Sequence, residues 1–132
     1  MLRMQNKVLY PELSCILNGL CFEVHNKLGR FRNEKQYSGA LEKMLQERKI
    51  AYVREYELAP SFEGEKKRRN IIDFLIDDQI IIEVKAKPAV TKEDYFQAKR
   101  YLASSDKNLA IVVNFRQKHL VPKRVLSGAT NL

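Results

Sequence analysis

The chain reads as a mixed α/β fold, a central mixed sheet flanked by helices in the order ααβββαββ. Three observations lead there. Two segments near the start repeat apolar residues at three- and four-residue steps, the period of a helix with one buried stripe. Several short runs further on are rich in β-branched residues, and one of them, 108–115, is almost wholly apolar, as suits a strand covered on both faces. A third helical segment precedes that run, so helices packed on a sheet are the expected arrangement. At 132 residues, with 45% apolar and 30% charged side chains, the chain suffices for one domain, 1–132, and not for two. Its composition argues against disorder.

The first helix is expected from about Glu12 to Leu28, with Pro11 as its opening residue and Gly29 as its stop. Leu13, Ile16, Leu17, Leu20, Cys21, Val24 and Leu28 form its apolar stripe. After a short basic loop, 30–33, a second helix covers about Asn33 to Lys49 and carries Tyr37, Ala40, Leu41, Met44 and Leu45 on one side. Glu34 lies three residues before Tyr37, at the edge of that stripe, and so is expected to point inward. An unpaired acid there would be costly. Residues 50–59 read as a strand and 60–70 as a charged connection containing Lys66, Lys67, Arg68 and Arg69. A hairpin from about Arg69 to Lys87 turns at Asp77-Asp78-Gln79. A helix over roughly Lys92 to Ser104, the apolar strand and a short strand within 120–126 complete the order. From Ser127 onward the chain is expected to fray.

The net charge of +8 and pI near 9.6 point to a polyanionic partner. Cys15 and Cys21 stand six residues apart in the first helix, where about 1.5 Å of rise per residue separates their Cα atoms by roughly 9 Å, too far for a disulfide. With no signal peptide in view they read as reduced core residues of a cytoplasmic protein. No apolar run reaches the roughly 20 residues that a membrane span needs.

The hairpin holds the chemistry. Directions alternate along the second strand, so Glu83 and Lys85 share a face while Ile80, Ile82 and Val84 fill the other. A three-residue Asp77–Gln79 loop places Asp73 opposite Glu83 on that face, whereas a two-residue loop would put the acids on opposite faces. The three-residue loop is preferred because it stacks Ile72, Phe74 and Ile76 with Ile80, Ile82 and Val84 in one apolar layer. Two carboxylates and a lysine so gathered suit metal-assisted cleavage of a phosphodiester, with oxygen ligands for a hard divalent ion and a cation near the attacking water. Taken alone, the same three residues also suit a solvated sheet face.

Asp73 followed by Glu83-Val84-Lys85 resembles the signature of the PD-(D/E)XK nuclease superfamily. Gln97-Ala-Lys-Arg-Tyr101 is similar to the Gln-x-x-x-Tyr element of its RecB-like branch. Phe22-Glu-Val-His-Asn-Lys-Leu-Gly29, Glu34-x-x-Tyr37 and Leu109-Ala-Ile-Val-Val-Asn-Phe115 together look like the GxxExxY family over roughly residues 8–126. One departure is plain: the glycine that opens that motif is Phe31 here, and the expected Gly-Pro-Gly turn reads Gly29-Arg30-Phe31.

The resemblance implies a restriction-endonuclease-like core and a magnesium- or manganese-dependent nuclease acting on DNA. Asp73, Glu83 and the main-chain carbonyl of Val84 would bind the metal, Glu34 would complete the site, and His25 would stand near it as a further ligand or outer neighbour. Lys85 would orient or activate water and stabilise charge, and Gln97 and Tyr101 would position Lys85 or a substrate phosphate by hydrogen bonding. The run Lys66, Lys67, Arg68 and Arg69 suits a solvated loop, and a nuclease could also use it to hold a phosphate backbone. A reading from another class is a non-catalytic nucleic-acid-binding or assembly module on the same fold, motivated by the small size, Phe31 and the basic surface. A structure-specific resolvase, a narrower form of the first reading, would need a homodimer.

Overall fold

A computed structural model describes residues 10–128. The elements follow the expected order: α1 (Pro11–Leu28), α2 (Glu34–Glu47), β1 (Tyr52–Glu57), β2 (Ile71–Ile76), β3 (Ile80–Lys85), α3 (Lys92–Ser105), β4 (Leu109–Asn114) and β5 (Lys123–Leu126). The five strands form one sheet in sequence order. β1, β2 and β3 pair antiparallel, β3 and β4 run parallel, and β5 returns antiparallel to β4. The parallel pair needs a crossover, and α3 supplies it.

Strand alternation sorts the core into two layers. Phe74, Ile76, Ile80, Ile82, Val84, Ile111 and Val113 pack under α1 and α2 with Leu17, Leu20, Tyr37, Leu41 and Leu45. Leu75, Ile81, Ala110, Val112 and Val125 pack on the other face with Ala98, Tyr101 and Leu102 of α3. Covered from both sides, all six residues of β4 are buried.

Helix α1 opens at Pro11, whose fixed φ suits the first turn, and Gly29 ends it at φ +77° with its N–H bonded to the His25 carbonyl. Asn33 and Gln36 close a reciprocal capping box on α2, which satisfies two otherwise orphaned groups. α2 stops at Glu47 rather than Lys49, because Lys49 turns left-handed (φ +57°) and the Ile50 N–H bonds back to Leu45. β1 is correspondingly shorter than 50–59. β5 begins at Lys123: Pro122 has no N–H for the ladder, and Leu120 enters the α1/α2 core instead.

The hairpin turns through three residues. Ile76 pairs with Ile80 and Phe74 with Ile82, which extrapolates to Asp73 beside Glu83. Asp77 and Asp78 adopt φ of +50° and +56°, a region that Asp tolerates better than most residues.

Ile72 departs from the expected layer and joins the α3-side cluster. The cause is a break in the ladders at Asp73. Arg54 pairs with Phe74 and Tyr56 with Ile72, but Glu55 and Asp73 between them do not pair, and Glu55 carries φ +54°. β2–β3 pairing likewise runs only from Phe74 to Ile76. The alternation slips across this point, so Ile72 and Leu75, three residues apart, share a face.

Three other expectations are corrected. Cys15 is exposed and only Cys21 is buried, its thiol pushed up to about 12 by burial. Ile16 is likewise 45% exposed, since α1 buries a stripe narrower than its apolar content. Ser127 is buried, with its N–H bonded to the Asn108 carbonyl, so fraying does not begin there. The expected frayed end, 129–132, and the start of the 8–126 core lie outside the described residues. No described helix is long and apolar enough to cross a membrane.

Candidate active site

The gap in the ladders at Asp73 is filled by side chains. The Asp73 N–H donates to Glu83 Oε2 at 2.9 Å, and the Val84 N–H donates to Asp73 Oδ2 at 2.7 Å. Each acid thus occupies the backbone position that the other's strand leaves open, and the two carboxylates are locked together. Glu83 is only 4% exposed. Burial, then repulsion from Asp73, pushes its carboxyl up to about 8. Burial also raises Asp73, more than the Val84 N–H and the Lys85 charge lower it. A buried acid locked to a half-buried one holds its proton unusually well, because burial and mutual repulsion outweigh the nearby positive charge.

Lys85, two residues after Glu83, donates to Gln97 Oε1 of α3 at 2.8 Å. Its Nζ stands 3.9 Å from Asp94 Oδ1. Tyr101, one helical turn beyond Gln97, is buried, and its hydroxyl is raised by burial and by the charges of Glu83 and Asp73. Gln97 and Tyr101 therefore meet the lysine and the field of the acids from the same helix.

Glu34 does not point inward. It is exposed in the first turn of α2 and lines an open cleft of about 320 Å³ with Asp73, Arg54, Ser38 and Arg68. Its charge still raises both Asp73 and Glu83. Glu34 therefore faces Asp73 across the cleft rather than through the core.

His25 lies elsewhere. Its Nε2 is 2.8 Å from the Gln117 carbonyl, and its ring faces Phe115; no contact joins it to the acids. Lys66, Lys67, Arg68 and Arg69 are all exposed and line a second cleft of about 420 Å³ with Glu57 and Asn70. Arg68 belongs to both clefts, so the basic loop adjoins the acids through this one residue.

Three neighbours were not singled out from the sequence. Asp94 is buried and bridges Lys87 at 2.7 Å while facing Lys85. Burial alone would raise its carboxyl, but bonds from Lys87 and the Thr91 N–H outweigh this and lower it. The Thr91-x-x-Asp94 spacing was a legible signal, since it is a capping box. Asn114 is buried at the end of β4 and clamps the main chain of Lys87 through both its N–H and its carbonyl. Arg54 pairs with Glu42 at 2.8 Å beside Phe74 and lowers the Asp73 carboxyl.

Among the described residues no three His, Cys, Asp or Glu side chains are already arranged around a common cation position. The donor set nevertheless fits a hard divalent ion: all its atoms are oxygens, and Glu83 is buried with Asp73 half-buried against it.

A family model of the PD-(D/E)XK nuclease superfamily matches residues 11–125. The crystal structure of SSO0001 superposes with a TM-score of 0.54 at 20% identity, over 68% of this chain and 48% of that one, a likeness of fold alone. The match thus spans about half of that protein's length. No curated protein matches the chain. With the family match running from the opening of α1 into β5, and with a five-stranded mixed sheet that sets Asp73, Glu83 and Lys85 side by side, the chain belongs to the PD-(D/E)XK nuclease superfamily.

Proposed function

We propose that the chain is a metal-dependent nuclease that hydrolyses phosphodiester bonds of DNA, with Asp73, Glu83, Lys85, Gln97 and Tyr101 as its catalytic group. The observation that carries this is the interlocked pair of acids, Glu83 buried and Asp73 half-buried, beside a lysine held by Gln97. Asp73, Glu83, the Val84 carbonyl and Glu34 would hold magnesium or manganese, with Glu34 closing in from the cleft. When bound, the ion supplies Lewis-acid polarisation of the phosphate and a more acidic water. Lys85 has three donors: one goes to Gln97 and one faces Asp94, which leaves one for a phosphate oxygen or the attacking water. That donor stabilises the negative charge gathering on the pentavalent phosphate. Tyr101 backs the lysine from the same helix face. Lys66, Lys67, Arg68 and Arg69 hold the backbone of the strand.

The Lys85–Gln97 bond supports the narrower placing in the RecB-like branch and the GxxExxY group. His25, held by Gln117, fits an outer supporting role better than that of a ligand. The reading includes a single domain working in the cytoplasm, to which the free cysteines lend support; a homodimer would be required only for a junction-resolving variant.

The test is incubation of purified protein with plasmid, duplex and single-stranded DNA and magnesium or manganese, beside Glu83→Ala and Lys85→Ala. Cleavage by the wild type that both substitutions abolish is expected; equal activity in all three defeats the reading. The exposure of Glu34 and the substitution of Phe31 for glycine favour a second reading, a nucleic-acid-binding module without cleavage. Metal-independent, salt-sensitive binding with no cleavage of any substrate would select it.

A further inference from the structure

Phe31 is 78% exposed, the most open large hydrophobic side chain among the described residues. Its position does not come from a loose loop. Tyr37 is fully buried and stacked on Phe115 with ring centroids 4.4 Å apart. From there its hydroxyl donates to the Gly29 carbonyl at 2.6 Å and accepts the Arg32 N–H at 3.1 Å. Arg30 and Arg116 exchange bonds, each Nε donating to the other's carbonyl at 3.1 and 2.9 Å. Residues on either side of Phe31 are therefore fastened to the core, and the ring is held in solvent by a fixed backbone.

The surroundings of the ring say what it suits. The Arg30 guanidinium stands 5.1 Å from the ring centroid, and Phe31 lines an open cleft of about 610 Å³ with Arg32, Lys35, Arg116 and Glu34. Four cations thus surround one flat apolar surface. The matching ligand carries anionic groups along a chain and flat rings beside them, which is a nucleic-acid strand with an unpaired base. A guanidinium over one ring face leaves the other for that base.

We propose that Phe31 is a stacking platform for an unpaired nucleobase next to the cleavage site. Glu34, whose charge acts on Asp73 and Glu83, is three residues away, at most roughly 10 Å of extended chain. That corresponds to about three nucleotides at the ~3.4 Å rise of one strand. Bases within continuous duplex are already stacked on one another and must be extruded to reach the ring. The chain therefore selects single-stranded segments, flaps or frayed ends over continuous duplex. The place of the cleaved bond rests on the proposed nuclease function, whereas the stack itself requires only nucleic-acid binding.

Metal-free binding separates the two. The probe is a short single-stranded DNA carrying a fluorescent adenine analogue, compared with its duplex. The wild type is expected to bind the single strand more tightly and to quench the analogue. Phe31→Ala should weaken single-strand binding by roughly 5- to 150-fold, the loss of one base–aromatic stack, and remove the quench, while Phe31→Trp keeps both. Phe96→Ala, which removes another exposed ring on α3, should change neither. Equal wild-type affinity for single strand and duplex, a quench that survives in Phe31→Ala, or an equal loss in Phe96→Ala overturns the platform. Binding and quenching without cleavage in magnesium or manganese would leave the platform standing and defeat the nuclease; cleavage with a Phe31-independent quench does the reverse.

Discussion

Lys85 and Glu83 stand two positions apart on β3, and their environments make opposite demands. Lys85 must stay aimed, and Gln97 aims it. Lys85→Ala is expected to lower cleavage by about 10²–10³-fold, the effect of removing one preorganised donor from a developing oxyanion; single-turnover kinetics would measure it. Glu83 must lose a proton before it can serve as a ligand. Its carboxyl titrates at about 8 in the folded chain, because of burial and then the Asp73 charge, and near ~4.3 when unfolded. The folded state therefore binds the extra proton, and this stabilisation is complete below about pH 4 and lost as pH rises through about 8. The metal-free Tm should fall between about pH 4 and 8 and level off above that, and Glu83→Gln, which copies the protonated form, should flatten that slope. Metal should do the reverse, raising Tm more at higher pH, because it binds the deprotonated acid. A Tm rise with manganese that is equal in wild type and Glu83→Gln would contradict this.

Gly29 is the joint between α1 and α2, and its φ of +77° with ψ of −164° lies where side chains are strained even with open space around them. Nothing lies within 4 Å of a Cβ built there, so the cost of Gly29→Ala is purely one of backbone conformation. A loss of about 1–3 kcal/mol is expected, measured by urea denaturation. The hairpin between β2 and β3 was legible in the sequence because two consecutive aspartates mark the turn and the apolar layer of Phe74 and Ile76 with Ile80 and Ile82 favours the three-residue loop. The contact of Lys85 with Gln97 was suggested only by the family resemblance, as one of two partners for Gln97. Helical periodicity places Glu34 at the edge of the buried stripe but does not say whether that edge is covered, and in the first turn of α2 it is exposed. Ile72 was misjudged because alternation presumes an unbroken ladder, and the left-handed Glu55 opposite Asp73 breaks it. Asn114 was hidden inside an apolar run, where a polar residue shows its worth only once the main chain of Lys87 arrives beside it.

The whole molecule carries a net charge of +8, and the clefts gather part of it beside the acids. Binding of DNA should weaken linearly with log salt concentration. Replacing Lys66, Lys67, Arg68 and Arg69 together with alanine should lower that slope by up to about 3–4, at ~0.9 per phosphate contact. Titrations at several salt concentrations would measure it, and an unchanged slope would remove the loop from the interface. Arg68 alone should affect cleavage more than Lys66 alone, since it reaches the cleft that Asp73 lines.

The sheet is laid down in the order in which the chain is made, β1 through β5, so each strand pairs with the one synthesised just before it. β3 is the exception in time. Its far edge, with the run Ile80-Ile81-Ile82, waits for β4, and the 23 residues 86–108 must be made first. With the six of β4 added, at ~5–20 residues per second, that edge stays open for about 1–6 s on each nascent chain. An apolar edge open for seconds invites pairing with a neighbouring chain. The strand that carries Glu83 and Lys85 is thus also the segment most open to mispairing during synthesis, and the yield of folded protein is expected to respond to the speed of translation across α3.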